Sequence, residues 1–314
     1  MGQFNIVVVG GNNVDINATS FTQLVYGDSN PGVIHTGLGG VGRNIAENLV
    51  RMGQNVSFIS VFGDDEFSVL AQTHAKRIGM DISESIFVTN APSCVYVCIN
   101  EPNGEMAVAV NDMELCNQIT PEYLASKMDR LSAADGIVID ANISEAAIDY
   151  LVQNTSVPIF ADAVSAKKAS RLHSSLPHLK ALKSNQIEVE LLTGLTIEHE
   201  FAMNTAAKTL HQMGVELVLI TLGSRGAYAS DGNTQLFEHP YPQRMINTTG
   251  CGDAFMAAAV LGVLQHRDLQ DILHMGLAAA SSCGQSESAV SDQLSMQAID
   301  HYMQIGQKTQ EATL

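Results

Sequence analysis

Short apolar segments alternate with segments of helical periodicity along most of this chain of 314 residues. The apolar runs predict strands at residues 6–9, 56–61, 136–139, 158–161 and 217–221. Apolar residues spaced by three and four predict helices at residues 43–52, 144–154 and 206–213. Alternation of this kind is typical of parallel sheets, because each helix crosses a face of the sheet between two strands. We therefore expect an α/β fold with a doubly wound, mostly parallel sheet and helices on both faces.

Two segments, residues 13–36 and 92–113, interrupt this alternation. Each reads as short strands joined by turns, since Asn103-Gly104 is a strong hairpin signal and residues 94–98 alternate along the chain as in a strand. We expect the two segments to leave the main sheet and to pair as a small second sheet. The pattern favours equally a lid over a binding site and an edge hairpin packed on the body. The main α/β domain then comprises residues 1–12, 37–91 and 114–314.

The charge balance restricts the partners of the chain. Its 33 acidic and 16 basic residues give a formal net charge of -17, so phosphate backbones and anionic membrane surfaces would repel it. Neither a nucleic acid polymer nor a membrane is therefore an expected partner, whereas a free nucleoside or sugar carries no such penalty. The sequence also contains no run of 18 apolar residues that would predict a membrane span.

The cysteines indicate a reducing compartment. Their number is odd, and no two of them have the C-x-x-C spacing of zinc or redox sites. They are Cys94, Cys98, Cys116, Cys251 and Cys283. The first residues lack the basic region of a signal peptide. We therefore expect free thiols and a cytoplasmic protein.

The strongest signal for chemistry is Gly250-Cys251-Gly252-Asp253, which lies directly before an apolar helical run. Glycines at a helix start let backbone N–H groups approach an anion closely, and the helix dipole adds partial positive charge. Asp253, in the first turn, is suited to take a proton from a hydroxyl that attacks phosphorus. The segment predicts a site for phosphoryl transfer. A glycine turn with an ordinary helix-start aspartate is the structural alternative.

A second glycine cluster, Gly37, Gly39 and Gly42, matches the G-x-G-x-x-G fingerprint of dinucleotide sites. That motif joins the first strand of a fold directly to a helix, whereas about two dozen residues intervene here. Asp64 and Asp65 lie near the position expected for a ribose-binding acid. A dinucleotide-dependent oxidoreductase is nevertheless the weaker hypothesis. The sequence has no Walker A motif, no protein-kinase motif set and no G-x-S-x-G, which disfavours P-loop kinases, protein kinases and common serine hydrolases.

Three further clusters could bind ligands or simply shape turns. They are Asn13 with Asp15, Asn185 with Glu188, and Gly223 with Gly226. The first follows the first strand, where a carboxylate could accept two sugar hydroxyls or form an Asx turn. The second stands at a helix start and could hold water around Mg²⁺ or cap the helix. The third follows the strand at residues 217–221 and could contact a nucleotide phosphate or form a turn.

Taken in this order, the clusters resemble the signatures of the ribokinase-like (PfkB) family of carbohydrate kinases. Residues 39–44 resemble the first signature, G-G-x-G-x-N, and residues 247–253 resemble the second, [DN]-T-x-G-A-G-D. The Asn185-x-x-Glu188 element lies between them, and the resemblance runs from about residue 5 to about residue 302. Two signatures in this order are more specific than either alone. Cys251 departs from the usual alanine, but its small side chain is compatible with the motif.

The resemblance implies a kinase that uses ATP and Mg²⁺ and gives each cluster a role. Asp253 would be the catalytic base, and the backbone anion hole would be Gly250, Cys251 and Gly252. Substrate hydroxyls would bind Asn13, Asp15, Gly40 and Asn44. ATP would bind Asn185, Thr221, Gly223 and Gly226, and Glu188 would reach Mg²⁺ through water. The resemblance also implies that the small sheet is a lid that pairs two chains into a homodimer, and that a monovalent cation could bind.

Within the family, four segments are most similar to kinases of pseudouridine, a C-nucleoside. They are residues 28–32, 40–46, 111–113 and 141–144. The similarity implies phosphoryl transfer from ATP to the 5′-hydroxyl of pseudouridine. Asn111 or Asp112 would then pair with the N–H and C=O edges of uracil, or alternatively cap the turn that leaves the lid. The other hypotheses are a kinase of another sugar or nucleoside and a non-catalytic nucleoside-sensing regulator, which would be expected to lose Asp253 or the glycines before it.

Overall fold

The computed structural model describes residues 2–198 and 200–311. Its strands are β1 (Asn5–Val9), β2 (Asn13–Ser20), β3 (Gly32–Gly39), β4 (Asn55–Ile59), β5 (Val61–Phe62), β6 (Ile86–Phe87), β7 (Val95–Asn100), β8 (Met106–Asp112), β9 (Gly136–Asp140), β10 (Ile159–Asp162), β11 (Leu179–Asn185), β12 (Leu217–Thr221), β13 (Ala227–Ser230) and β14 (Gln235–Glu238). Its α-helices are α1 (Val41–Arg51), α2 (Glu66–Ile78), α3 (Pro121–Ala125), α4 (Met128–Ser132), α5 (Glu145–Asn154), α6 (Ala166–Ala169), α7 (Gln186–Thr193), α8 (Glu200–Gln212), α9 (Cys251–Leu264), α10 (Leu269–Cys283) and α11 (Met296–Glu311). Short 3₁₀ helices lie at Glu114–Gln118, Ser170–His178 and Gly223–Arg225.

The main sheet has the strand order β14-β13-β12-β11-β10-β9-β1-β4. Strands from β12 to β4 run parallel, and β13 and β14 add an antiparallel edge. The chain moves outward in one direction from β1 to β4 and in the other from β9 to β12. Open α/β sheets bind ligands beyond the carboxyl ends of the strands at such a switch point, here between β1 and β9. The doubly wound, mostly parallel sheet expected from the sequence is confirmed.

Alternate residues of each central strand face two separate cores, one on each side of the sheet. In β1, Ile6 and Val8 pack with helices α1, α2, α9, α10 and α11, whereas Val7 and Val9 pack with the helices on the opposite face. Such strands are apolar along their whole length because both faces are covered. Helix α9 is apolar almost all round and is buried from Asp253 to Gly262. The predicted phosphoryl-transfer segment therefore lies at the amino end of a helix that is fixed in the core.

The structure corrects the predicted elements mainly where polar residues are buried. Strand β11 was not predicted, because lysines and a serine interrupt its apolar residues, yet Lys183 and Ser184 are both buried. The apolar run at residues 56–61 is divided between β4 and β5. Helix α9 begins at Cys251, so Asp253 lies within its first turn as expected.

The segments that interrupt the alternation form a small sheet of order β3-β2-β7-β8. The turn at Asn103-Gly104 is present, and β3 runs three residues beyond the expected boundary at residue 36. The register places Asp15 beside Tyr96 and Tyr96 beside Asn111, so these polar side chains share one face. The opposite face is apolar, with rows such as Ile16, Val97 and Val110.

Each of the five cysteines is a free thiol, as expected. Among the residues that the structure describes, no helix is long and apolar enough to span a membrane.

Candidate active site

Helix α9 begins with a glycine turn that no other residue could form without moving the backbone. Gly250 is the N-cap and has φ 79°, and a Cβ at this position would lie 1.8 Å from the carbonyl oxygen of Ala289. No side chain caps the helix start. The first-turn N–H groups are therefore not covered by a capping side chain, and the helix dipole adds partial positive charge where they point. Such a helix start is suited to bind an anion, so residues 250–252 are the predicted anion-site turn.

Asp253 lies in the first turn of α9 and is 8% exposed. Its Oδ2 accepts a hydrogen bond of 2.8 Å from Nδ2 of Asn44 in α1. Burial raises the pKa of Asp253 to about 7, the charge of Asp162 adds to the effect, and Lys183 and Asn44 oppose it. A carboxylate that titrates near neutral pH beside an anion site is suited to general-base catalysis.

Two charged residues beside Asp253 were not predicted as site residues. Lys183 and Asp162 are paired across β11 and β10, and Nζ of Lys183 lies 3.0 Å from Oδ2 of Asp162. A Cβ at Gly252 would lie only 2.9 Å from the same Nζ, so the ammonium group contacts the anion-site turn. Asp162 directly follows the predicted strand at residues 158–161, where open α/β sheets bind ligands, and that position was a usable signal. Lys183 gave no such signal, because its strand was not predicted.

The residues predicted to hold substrate hydroxyls come together above α1. Asn13 donates from Nδ2 to Oδ1 of Asp15 over 2.6 Å, and the carboxylate of Asp15 fills the space where a Cβ of Gly39 would be. Gly40 has φ 100°, and a Cβ there would lie 2.4 Å from the carbonyl oxygen of Gly11. The loop after β1 and the start of α1 thus approach each other at backbone distance.

Arg43 holds Asn44 in the orientation that reaches Asp253. Its Nη1 donates to Oδ1 of Asn44 over 2.9 Å, so the Nδ2 end of the amide is left to face Asp253. Arg43 is itself buried and forms an ion pair with Glu47. Burial opposes ionisation of Glu47, but His74, Arg43 and Arg51 lower its pKa to about 2. Arg43 was not predicted, although it stands inside the first signature.

Asp140, at the end of β9, joins the two loops that border the switch point. Its Oδ2 accepts hydrogen bonds from the backbone N–H groups of Gly11 at 2.9 Å and Gly42 at 2.6 Å. Its Oδ1 accepts from the N–H of Asn142 at 2.9 Å. Burial raises the pKa of Asp140, against the hydrogen bonds that favour the carboxylate. The residue fixes the backbone around the predicted substrate site.

Asn185 and Glu188 form a complete capping box at the start of α7. Glu188 accepts from the N–H of Asn185 at 2.8 Å and from its Nδ2 at 2.7 Å, and the N–H of Glu188 donates to Oδ1 of Asn185 at 3.0 Å. Within the described residues, no group of three or more His, Cys, Asp or Glu side chains could enclose a metal ion. The donor set therefore fits Mg²⁺ only as an ion held mainly by phosphate and water, which is its usual mode in kinases.

The predicted ATP residues lie together at the ends of two neighbouring strands. Asn185 and Thr221 are register partners in β11 and β12. Gly223 and Gly226 follow in the loop, with φ 59° and 114°, and a Cβ at Gly226 would lie 1.9 Å from the carbonyl oxygen of Glu238. This cluster is separated along the sheet from the substrate residues, and the turn that begins α9 lies between the two groups.

Asn111 and Asp112, predicted as alternatives for base recognition, face opposite sides of the small sheet. Asn111 shares the polar face with Asp15 and Tyr96. Asp112 pairs with Val95, and its Oδ1 accepts a hydrogen bond from the N–H of Glu114 at 3.2 Å, so it forms an Asx turn where the chain leaves the small sheet.

The dinucleotide fingerprint has a different structural origin. Gly37 and Gly39 lie in β3 of the small sheet, so they do not join β1 directly to a helix. Asp64 accepts hydrogen bonds from the backbone of residues 90 and 91, and Asp65 caps α2 and accepts from Ser93. Both aspartates therefore hold the loop at residues 90–93 in place, and their carboxylates are engaged there rather than in ribose binding.

Comparisons with known proteins agree with this geometry. The model of the pfkB family carbohydrate kinases matches residues 3–295. Pseudouridine kinase of Escherichia coli (strain K12) is 36% identical over 254 residues, or 80% of this chain and 81% of that protein. A solved carbohydrate kinase from Agrobacterium tumefaciens is 27% identical with a TM-score of 0.81, over 96% of this chain and 97% of that one. Ribokinase from Thermotoga maritima, 19% identical, has a TM-score of 0.83 over 96% and 99% of the two chains, which shows the ribokinase-like fold. The chain therefore belongs to the PfkB family and is a carbohydrate or nucleoside kinase.

Proposed function

We propose that this kinase transfers the γ-phosphoryl group of ATP to the 5′-hydroxyl of pseudouridine. The observation that carries the proposed chemistry is the 2.8 Å contact between Asn44 and Asp253, because it joins the two signatures at the start of α9. The similarity to pseudouridine kinase of Escherichia coli supports the choice of substrate.

In the proposed reaction, Asp253 accepts the proton of the 5′-hydroxyl as the oxygen attacks phosphorus in line. Its pKa of about 7 leaves a substantial fraction ionised at neutral pH, while keeping it basic enough to take the proton. The N–H groups at Gly250, Cys251 and Gly252 stabilise the charge that develops on the phosphoryl oxygens. Asn44 orients the carboxylate, and Asn13, Asp15 and Gly40 bind the other hydroxyls of the ribose.

The phosphate chain of ATP would lie along the carboxyl ends of β11 and β12. Asn185, Thr221, Gly223 and Gly226 would line its site, and Glu188 would reach Mg²⁺ through water. When bound, Mg²⁺ neutralises part of the phosphate charge.

The small sheet is proposed to act as a lid, with residues 13–36 and 92–113 moving as one unit over the substrate. Its polar face, with Asp15, Tyr96 and Asn111 in register, would cover the nucleoside. The apolar face would then point away from the substrate. Val110 is 68% exposed on that face, and a second copy of the chain is its proposed partner, which gives a homodimer through the lid.

Asn111 is the residue that we expect to recognise uracil. Its side-chain amide can donate to a C=O group and accept from an N–H group of the ring, and pseudouridine presents one N–H more than uridine does. Replacing Asn111 with alanine is expected to lower kcat/KM for pseudouridine about tenfold or more, since one lost hydrogen bond of about 1.4 kcal/mol is a factor of ten. Steady-state kinetics with pseudouridine and with ribose measure the effect.

Asp112→Ala is the matched control, because it changes the neighbouring residue on the other face of the lid. We expect this variant to keep its preference for pseudouridine over ribose. Loss of that preference in Asp112→Ala but not in Asn111→Ala would contradict the assignment.

The proposed substrate is tested by ADP release from Mg-ATP with pseudouridine, uridine and ribose as separate acceptors. We expect kcat/KM to be highest for pseudouridine. A higher value for ribose or uridine would leave the chemistry in place and reject the substrate. No turnover of any sugar or nucleoside would favour the nucleoside-sensing regulator instead.

A further inference from the structure

Several buried carboxyl groups meet around the predicted base. Asp253 in α9 is influenced by Asp162 at the end of β10 and by Asp140 at the end of β9, and Glu188 in α7 faces the same centre through Lys183. Asn44 in α1 donates to Asp253, and Cys251 stands two residues before it in the same helix. Carboxylates buried together cannot all ionise unless a cation compensates them.

Lys183 is the cation that acts on Asp162 and Asp253 in this group, whereas Lys168 lies near Asp140. Its ammonium is 3.0 Å from Asp162 and lies against Gly252, where a side chain larger than hydrogen would collide with it. Burial alone would lower the pKa of Lys183, but Asp162, Asp253 and Glu188 raise it, so the residue stays protonated. Its positive charge is therefore held at the back of the anion-site turn, beside the base.

The geometry also explains why Lys183 does not withdraw from this position. Asp162 lies at the neighbouring register position in β10, its own backbone is fixed in the sheet, and its Oδ1 accepts a hydrogen bond from the N–H of Val164 at 2.8 Å. The pair is 8% exposed at the lysine and 1% exposed at the aspartate. A buried ion pair on two adjacent strands is rigid. A charge held in a fixed position has a constant effect on the pKa of a neighbouring group.

We propose that Lys183 is a positioning residue whose buried charge keeps Asp253 ionised as the base when the phosphate chain of ATP arrives, and that Asp162 holds Lys183 in place. The proposal rests on the function proposed above and adds a residue to it. Arriving phosphates bring further negative charge, which would favour protonation of Asp253. Lys183 offsets that change without occupying the space of the substrate.

The direct test follows the ionisation of Asp253 by NMR in protein labelled with ¹³C at the aspartate carboxyl groups, with Asp253→Asn to assign the signal. In Lys183→Met, the titration midpoint of Asp253 is expected to move to higher pH by about one unit or more, because a nearby opposite charge lowers a carboxyl pKa by about 1–3 units. Asparagine at position 162 can still accept a hydrogen bond from Lys183 and hold it in place, so in Asp162→Asn the loss of a like charge is expected to move the midpoint to lower pH. These opposite directions are not expected of a purely structural pair.

The acid limb of kcat/KM against pH is expected to move in the same directions in active enzyme. Lys183→Arg keeps the positive charge, so the acid limb of this variant is expected to lie nearer to that of the wild type than the limb of Lys183→Met does. A Lys183→Met variant with lower kcat but an unchanged limb and an unchanged NMR midpoint would overturn the proposal.

Lys183→Met leaves Asp162 buried without its cationic partner and could fail to fold, so a second pair of variants tests the same proposal. Asp162→Asn/Lys183→Met removes both charges and is compared with Asp162→Asn alone. The double variant must show the higher titration midpoint, and equal midpoints would overturn the proposal. The NMR titration needs no substrate, so its outcome is independent of whether pseudouridine is the correct acceptor.

Discussion

We expect Asp253→Asn to lower kcat by about 10²–10⁴-fold or more, the usual contribution of a general base. Asparagine has nearly the same shape and can still accept the hydrogen bond from Asn44, so binding of the nucleoside is expected to change little. Steady-state kinetics give kcat, and isothermal titration with the nucleoside gives Kd. A kcat near that of the wild type would reject Asp253 as the base.

The same variant is expected to be more stable than the wild type above neutral pH. Asp253 has a pKa of about 7 in the folded chain and an ordinary value, near 3.8, in the unfolded chain. Between these values the folded state binds more protons, so the wild type loses stability as pH rises from about 4 to about 7. Asparagine does not titrate, and its advantage at pH 8 is expected to be on the order of 1–3 kcal/mol.

Urea unfolding at pH 5 and pH 8 measures this advantage. The difference in the free energy of unfolding between the variant and the wild type should be larger at pH 8. A difference that shrinks with rising pH would mean that the buried carboxyl group does not have a raised pKa.

Gly250→Ala is the second change with a large expected effect. Alanine at φ 79° is strained, and its Cβ would lie 1.8 Å from the carbonyl oxygen of Ala289, so the turn before α9 must move. Misplacement of a catalytic group by about 1 Å can cost about 10²-fold in rate, and we expect a loss of at least that size in kcat. The free energy of unfolding should also fall by more than backbone strain alone would cost, because the collision with Ala289 adds to that strain.

Gly79→Ala is the control that has backbone strain without a collision. Gly79 ends α2 with φ 77°, and no atom lies within 4 Å of the position of a Cβ there. It is expected to cost only about 1–2 kcal/mol of stability and to leave kcat unchanged. Equal effects of the two substitutions on kcat would show that the closeness of Gly250 to Ala289 has no catalytic consequence.

The sequence was sufficient to predict those parts of the fold that depend on local pattern. The apolar runs of β1, β9 and β12 and the spacing in α5 predicted their bounds within one or two residues. The interruption at residues 13–36 and 92–113 predicted the small sheet, since its strands alternate and its turn carries Asn-Gly. Glycines followed by Asp253 predicted the start of α9, because backbone close to an anion requires them.

The residues that surround Asp253 could not be predicted in the same way. Lys183 and Asp162 are 21 positions apart in the chain, and they meet only because β10 and β11 are neighbours in the sheet. Lysine within an apolar segment reads as a solvated position, so β11 itself was missed. The choice between Asn111 and Asp112 likewise depends on the strand register, which places one side chain on each face of the small sheet.

The most direct test of the central claim is a competition in a single reaction. Purified protein is incubated with Mg-ATP and equal concentrations of pseudouridine, uridine and ribose, and the products are identified by mass spectrometry and ³¹P NMR. We predict that pseudouridine 5′-phosphate forms first and dominates, and that Asp253→Asn forms at least about a hundredfold less in the same time. Phosphorylation mainly of ribose or uridine, or a phosphate on another hydroxyl of pseudouridine, would contradict the account.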